Sequence, residues 1–164
     1  MSPIPNLDAL DANEQGRLTL AQAIGLIPMI VIGAILFLVG AFISGGIIYG
    51  LISHTFKGSL LAAVIVGGST SLALFWVAYM VGGTRLIDIV LGQVRHIDGQ
   101  GVRYTGRGSR GGGVIYYYGV GKQDFQIISG KTWRALPESV MVRGYYTPLS
   151  KSLVNVKHFY SKST

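Results

Sequence analysis

Leu18–Thr84 reads LTLAQAIGLIPMIVIGAILFLVGAFISGGIIYGLISHTFKGSLLAAVIVGGSTSLALFWVAYMVGGT and carries one charged residue, Lys57. Two uncharged runs flank that lysine. Each holds the roughly 20 apolar residues that a helix needs to cross a hydrocarbon core of about 30 Å. The pattern predicts a transmembrane helix hairpin, with spans over about 26–51 and 60–81. The link Ser53–Ser59 is short, so the helices must be antiparallel neighbours. Pro28 belongs to the first turns of the first span, or marks a kink. Phe75, Trp76 and Tyr79 lie near the far end of the second, where Trp76 and Tyr79 suit an interfacial aromatic belt.

Small residues recur at helical spacing. Ala41, Gly45 and Tyr49 fall four apart, as do Gly46 and Gly50, and Ser59, Ala63, Gly67 and Ser71 form a ridge on the second span. Close backbone approach over small residues drives much of helix association in lipid. Intramolecular packing is favoured over an oligomer interface, and the two can coexist on different faces. Neither span contains Asp, Glu, Lys, Arg or His, which argues against transport or proton relay through this pair alone.

The flanks differ in charge. Residues 1–17 carry Asp8, Asp11 and Glu14 against Arg17, a balance of −2. From Arg85 onward, seven arginines and five lysines face four carboxylates, a balance of +8 within a net charge of +7. Arg85 and Arg95 follow the second span closely, with Arg103 beyond. The positive-inside rule therefore places both termini in the cytoplasm and the short loop outside. The head, MSPIPNLDALDANEQG, lacks a basic n-region, so no cleaved signal peptide is expected. It is either a short interfacial turn or a frayed terminus. There is no cysteine, which excludes disulfides and thiol chemistry.

Past Arg85 the continuous apolar run gives way to short alternating segments. Strands are predicted at Ile87–Arg95, Val102–Tyr104, Val114–Val120, Asp124–Ile128, Val140–Tyr146 and Leu153–Phe159. Turns are predicted at Asp98-Gly99-Gln100-Gly101, Gly106–Gly113, Gly119–Lys122 and Pro148–Lys151. Thr132–Leu136 suits one helical turn before Pro137. Six short strands predict a small antiparallel β-barrel, SH3-like or OB-like. Its expected core is Val114, Tyr116, Phe125, Ile127, Trp133, Leu136, Val140, Val142, Tyr145, Leu153, Val154 and Val156. The expected division is a polar head over 1–17, the hairpin over 18–84 and a basic β-domain over 85–164.

The run from Asp124 to Phe159, with Phe125, Trp133-Arg134-Ala135-Leu136, Tyr145-Tyr146-Thr147-Pro148, Ser150-Lys151 and Leu153, resembles the terminal β-module of uncharacterised bacterial membrane proteins. Those proteins pair two transmembrane helices with a small barrel. The layout is similar to that of NfeD-like proteins, whose helices precede an OB-fold, in architecture only. The resemblance implies a bacterial inner-membrane location and no activity.

Ser129-Gly130-Lys131-Thr132 imitates the end of a P-loop, but Phe125 stands where the motif requires its first glycine. Gly106–Gly113 contains Arg107 and Arg110 among glycines, chemistry that suits an anion, although a flexible charged loop is the simpler reading. His54, His96 and His158 lack metal-ligand spacing, and the serines lack a nucleophile elbow. No cofactor, metal or catalytic residue is expected, and the chain is read as a non-enzyme. The basic tail points to a protein partner in a membrane complex, to anionic lipid or, less strongly, to nucleic acid. The candidate contact residues are Arg107, Arg110, Lys131, Arg134 and Lys151.

Overall fold

The structure is a computed structural model and describes residues 7–53, 60–107 and 113–159. The elements are a 3-10 turn Leu7–Ala9, α1 (Leu10–Glu14), α2 (Leu20–Ile52), α3 (Leu60–Ala78), a π-helical turn Tyr79–Gly83, α4 (Thr84–Leu91), β1 (Arg95–Arg107), β2 (Val114–Val120), β3 (Gln123–Ile127), α5 (Gly130–Ala135), β4 (Met141–Tyr146) and β5 (Leu153–His158). They form two compact units, residues 26–87 and residues 1–25 with 88–164.

In the helical unit, α2 and α3 are long and apolar enough to span a membrane. α2 and the π-helical turn after α3 come close at Gly33 and Gly82, where a Cβ on Gly33 would lie 2.6 Å from the Gly82 Cα. Gly40 receives the Phe75 ring, and Phe75 stacks obliquely on Phe37 with centroids 5.1 Å apart. Gly67 accommodates the Ile47 side chain. Ser71 is buried, its Oγ donating to the Gly67 carbonyl at 2.9 Å. Gly50 is buried and Ala63 half-buried, whereas Gly45 and Gly46 face open space. Ser59 and Lys57 lie outside the described residues. The helix extends through Leu91, ten residues past the expected end of the second span, and Pro28 sits inside α2 because that helix begins at Leu20.

The β unit is a five-stranded antiparallel sheet in the order β3-β2-β1-β4-β5. It curls around a core but is not closed, since edge strands β3 and β5 are not hydrogen-bonded to each other. This corrects the expected barrel. β1 holds the sheet together: its second half pairs with β2 (Tyr104 opposite Tyr117) and its first half with β4 (Asp98 opposite Arg143). Asp98-Gly99-Gln100-Gly101 spans the point where pairing passes from β4 to β2 and continues as strand rather than forming the expected turn. This stretch needs glycine. A Cβ on Gly99 would enter the Gly121 backbone, and one on Gly101 would collide with the Tyr118 hydroxyl.

The predicted strand Ile87–Arg95 is also corrected, because residues up to Leu91 are helical. Gly92 ends the helix at φ +61°, its N–H donating to the Asp88 carbonyl at 2.9 Å, in the glycine stop that a left-handed residue permits.

The concave face buries Tyr118, Val120, Phe125, Ile127, Leu136, Val142, Leu153 and Val156, with Ile97, Tyr116, Trp133 and Tyr146 packed around them. Tyr118 and Val120 are wholly buried and were absent from the expected core. Val114 and Val140 were expected there but are 59% and 39% exposed, because both lie at the rim, beyond the reach of the core. Strand alternation sends the neighbours Tyr145 and Tyr146 to opposite faces, and the pairing with β5 shifts register between them. Tyr145 and Val154 therefore join a second cluster with Val94, covered by Leu10 and Leu18 from the N-terminal segment. That segment is folded onto the sheet from Leu7 onward, with Ala9 and Asn13 buried, and is not a frayed terminus.

Candidate partner-binding surface of the β unit

Thr19-Leu20-Ala21-Gln22 forms a capping box at the start of α2. The Gln22 N–H donates to Thr19 Oγ1 at 3.4 Å, and Gln22 Oε1 accepts from the Thr19 N–H at 3.0 Å. The same Gln22 amide is buried against Asn13: each donates to the other, at 3.0 and 2.8 Å. Gln22 Nε2 also reaches the Val154 carbonyl at 3.2 Å, and Asn155 Nδ2 donates to Asn13 Oδ1 at 3.1 Å. Buried amides without such partners would each cost about 1–3 kcal/mol. Residues 16–18 extend the join, pairing with 92–94 through Leu18 N–H to the Gly92 carbonyl and Val94 N–H to the Gly16 carbonyl.

Asp88 makes a second join. Its carboxylate is fully buried and accepts from the backbone N–H groups of Leu149 and Ser150, at 3.0 and 2.8 Å. The turn it holds is tied internally by the hydroxyls of Thr147, Ser150 and Ser152. Lys151 adopts φ +53° in this turn, and its ammonium sits 5.9 Å from the Tyr146 ring centroid.

Three ion pairs mark the surface. Arg143 grips Asp98 with two bonds of 2.6 and 2.7 Å, which holds the Asp98 carboxyl below its ordinary value and the guanidinium above its own. Lys157 pairs with Glu14 and lowers that carboxyl. Arg103 pairs with Glu138, donates to the Arg134 carbonyl and lies over the Trp133 ring, so it staples α5 to the sheet.

The convex face over β1 and β2 carries Tyr104 and Tyr117, stacked with centroids 5.3 Å apart. Tyr104 is 39% exposed, and partial desolvation, then the neighbouring Asp124 carboxylate, pushes its phenol up to about 12.

The expected contact residues lie on separate elements. Lys131 and Arg134 are exposed on α5, Lys151 is in the β4–β5 turn, and Arg107 ends β1. Arg110 lies outside the described residues. Arg95 and Lys122 are also exposed. Among the described residues, none of Arg95, Arg107, Lys122, Lys131, Arg134 and Lys151 forms an ion pair. Ser129 Oγ accepts from the Thr132 N–H, so the Ser-Gly-Lys-Thr run is a helix cap. His96 rests 6.4 Å from the Tyr145 ring, and no metal-binding cluster occurs among the described residues. The capping box was readable in the sequence; Asn13 and Asp88 carried no comparable signal. No family model, no curated protein and no solved structure matches this chain.

Proposed function

We propose that this chain is a non-enzymatic integral membrane protein whose basic β unit binds a protein partner on the cytoplasmic side, as a small accessory or assembly subunit of a larger membrane complex. The observation that carries the membrane reading is the exposure of its most apolar helices. Only 17% and 11% of their most apolar windows are buried, and Phe42, Leu61 and Leu72 are more than 70% exposed. A soluble protein would bury such helices in its core, whereas acyl chains solvate them at no cost.

The Asn13–Asn155 hydrogen bond supports the hairpin topology independently of charge. Residues that touch lie on the same side of a bilayer, so the chain between them crosses an even number of times. Arg85, Arg95 and Arg103 then favour the cytoplasm for that side. Labelling Ser163→Cys with a membrane-impermeant thiol reagent on intact cells tests this, and labelling from outside reverses the orientation. Partner binding is tested by crosslinking in native membranes followed by mild solubilisation. A protein that migrates only as a free monomer, with no crosslinked partner, defeats that part of the reading.

A second reading, a tethered module for anionic lipid or nucleic acid, draws on the six basic side chains that form no ion pair among the described residues. Each adds on the order of 1 kcal/mol when near an anionic leaflet. Its test uses the full chain, since residues 7–22 complete the β unit. Lipid or oligonucleotide binding should weaken steeply with salt.

A further inference from the structure

Within the helical unit, α2 and the α3–α4 helix part to leave a groove of about 360 Å³, within the size range of small-ligand sites. Its walls are almost wholly carbon, from Gly33, Ala34, Phe37, Phe75, Tyr79 and Leu86. The π-helical turn Tyr79–Gly83 shapes one wall: the helix is locally widened, Gly82 lies against Gly33, and the Tyr79 ring covers Gly83. Such turns inside α-helices often mark functional sites. From Ile30 to Phe37 the groove runs about 10 Å along α2, at 1.5 Å per residue. The Phe37–Phe75 pair closes its inner end.

We propose that this groove holds one acyl chain of an anionic phospholipid, with the lipid phosphate at Arg85. The inference rests on the membrane reading above. Three observations favour this occupant. The carbon lining offers nothing to water or a polar ligand. The length, about a third of a hydrocarbon core of about 30 Å, fits a chain from one leaflet, whereas the helix of a second copy would have to pass the Phe37–Phe75 block. Arg85 directly precedes the wall residue Leu86 in sequence, and its Nη1 donates to the Val81 carbonyl at 2.5 Å, so the guanidinium is held beside the π turn. A guanidinium pairs with phosphate through charge-assisted hydrogen bonds that a zwitterionic headgroup offsets with its own cation.

The test uses the full chain in nanodiscs of phosphatidylcholine with a minor fraction of phosphatidylglycerol, released for native mass spectrometry. The wild type should retain one phosphatidylglycerol. Ala34→Phe, which fills the groove from an exposed wall, should reduce retention about tenfold. Arg85→Gln should keep a lipid but lose the preference for phosphatidylglycerol. Absence of a lipid adduct on the wild type, or equal phosphatidylglycerol retention in the wild type and both variants, overturns the proposal. So does a wild-type dimer that Ala34→Phe converts to monomer, which would assign the groove to a second copy. Should Ala34→Phe fail to fold, Arg85→Gln decides alone. Alkaline extraction of native membranes separates the two readings. Protein released into the soluble fraction overturns the membrane reading itself, while protein kept in the pellet but free of lipid adducts overturns only this site.

Discussion

Asn13 and Gln22 present their side-chain amides to each other edge to edge, each donating one hydrogen bond and accepting one. Around this pair gather the Thr19 cap, the Val154 carbonyl and Asn155, so the N-terminal segment and β5, distant in sequence, share one buried polar knot. Networks of this kind stabilise when complete and cost heavily when one member is removed.

Gln22→Ala should therefore destabilise the β unit by about 2 kcal/mol, through loss of the cap and the stranding of Asn13. Thermal unfolding of the full chain in detergent measures this. A double-mutant cycle with Asn13→Ala should show coupling of about 1 kcal/mol or more, because the two side chains satisfy each other.

Asp88→Asn replaces an oxygen acceptor facing two N–H groups with an amide that can accept at only one end. The Thr147–Ser152 turn should loosen. Hydrogen exchange at the Leu149 and Ser150 amides should accelerate about tenfold or more, corresponding to loss of a charge-assisted bond of about 1.5–3 kcal/mol. Unchanged protection at both amides would show that the hydroxyl network holds the turn without the carboxylate.

Two buried tyrosines should respond in opposite ways to loss of the hydroxyl. Tyr118 donates to the Pro137 carbonyl at 2.9 Å, and burial pushes its phenol up to about 12. Tyr118→Phe should cost about 1 kcal/mol. The buried Tyr145 hydroxyl forms no well-aligned hydrogen bond although it faces the Glu14 carboxylate and the Arg143 guanidinium, and burial, then the Glu14 charge, raises its pKa. Tyr145→Phe should be neutral or stabilising by up to about 1 kcal/mol, as compared melting temperatures would reveal.

The Asp98–Arg143 pair predicts a small acid-side loss of stability. The folded-state pKa of Asp98 is depressed by its hydrogen bonds to Arg143. Its contribution is therefore present above the ordinary carboxylate value of about 4 and lost as pH falls through the folded value. The Asp98 side chain is 43% exposed, so solvent screening limits the contribution to about 0.5 kcal/mol. Asp98→Asn should flatten the acid limb of a stability–pH profile and leave the profile near pH 7 almost unchanged.

Glycines on α2 should separate by environment. Gly33→Ala would drive a methyl into the Gly82 backbone and should destabilise the helix pair by about 1–3 kcal/mol. Gly45→Ala adds its methyl to open space and should be neutral or stabilising by up to about 1 kcal/mol, from helix propensity alone. Denaturant unfolding in mixed detergent micelles compares them.

The two long helices were legible because length and absence of charge are local properties that need no tertiary information. The bounds of β2 were legible, since glycine flanks the run on both sides, but not which of its residues face the core. The open sheet was not. Asp98-Gly99-Gln100-Gly101 has the composition of a turn, and only the approach of Gly121 and Tyr118 shows why a continuing strand needs glycine there. Ile87–Leu91 suits a strand or a helix equally by hydrophobicity, although Gly92 is the stop signal that a helix would require. Arg107, Lys131, Arg134 and Lys151 are visible as basic residues in any reading, but their distribution over α5, a turn and a strand end is a tertiary fact. Asn13 looks like an ordinary surface residue until Asn155, 142 positions later, is placed beside it.

That last separation has a consequence for biosynthesis. During synthesis Asn13 and Gln22 emerge first, and both helices follow before β5 exists. The knot cannot close until Val154 and Asn155 have been made, so the β unit is the last part of the molecule to mature. A chain stopped short of Leu153 would leave Asn13 and Gln22 without their β5 partners and the second apolar cluster without Val154, a form suited to recognition by quality-control proteases.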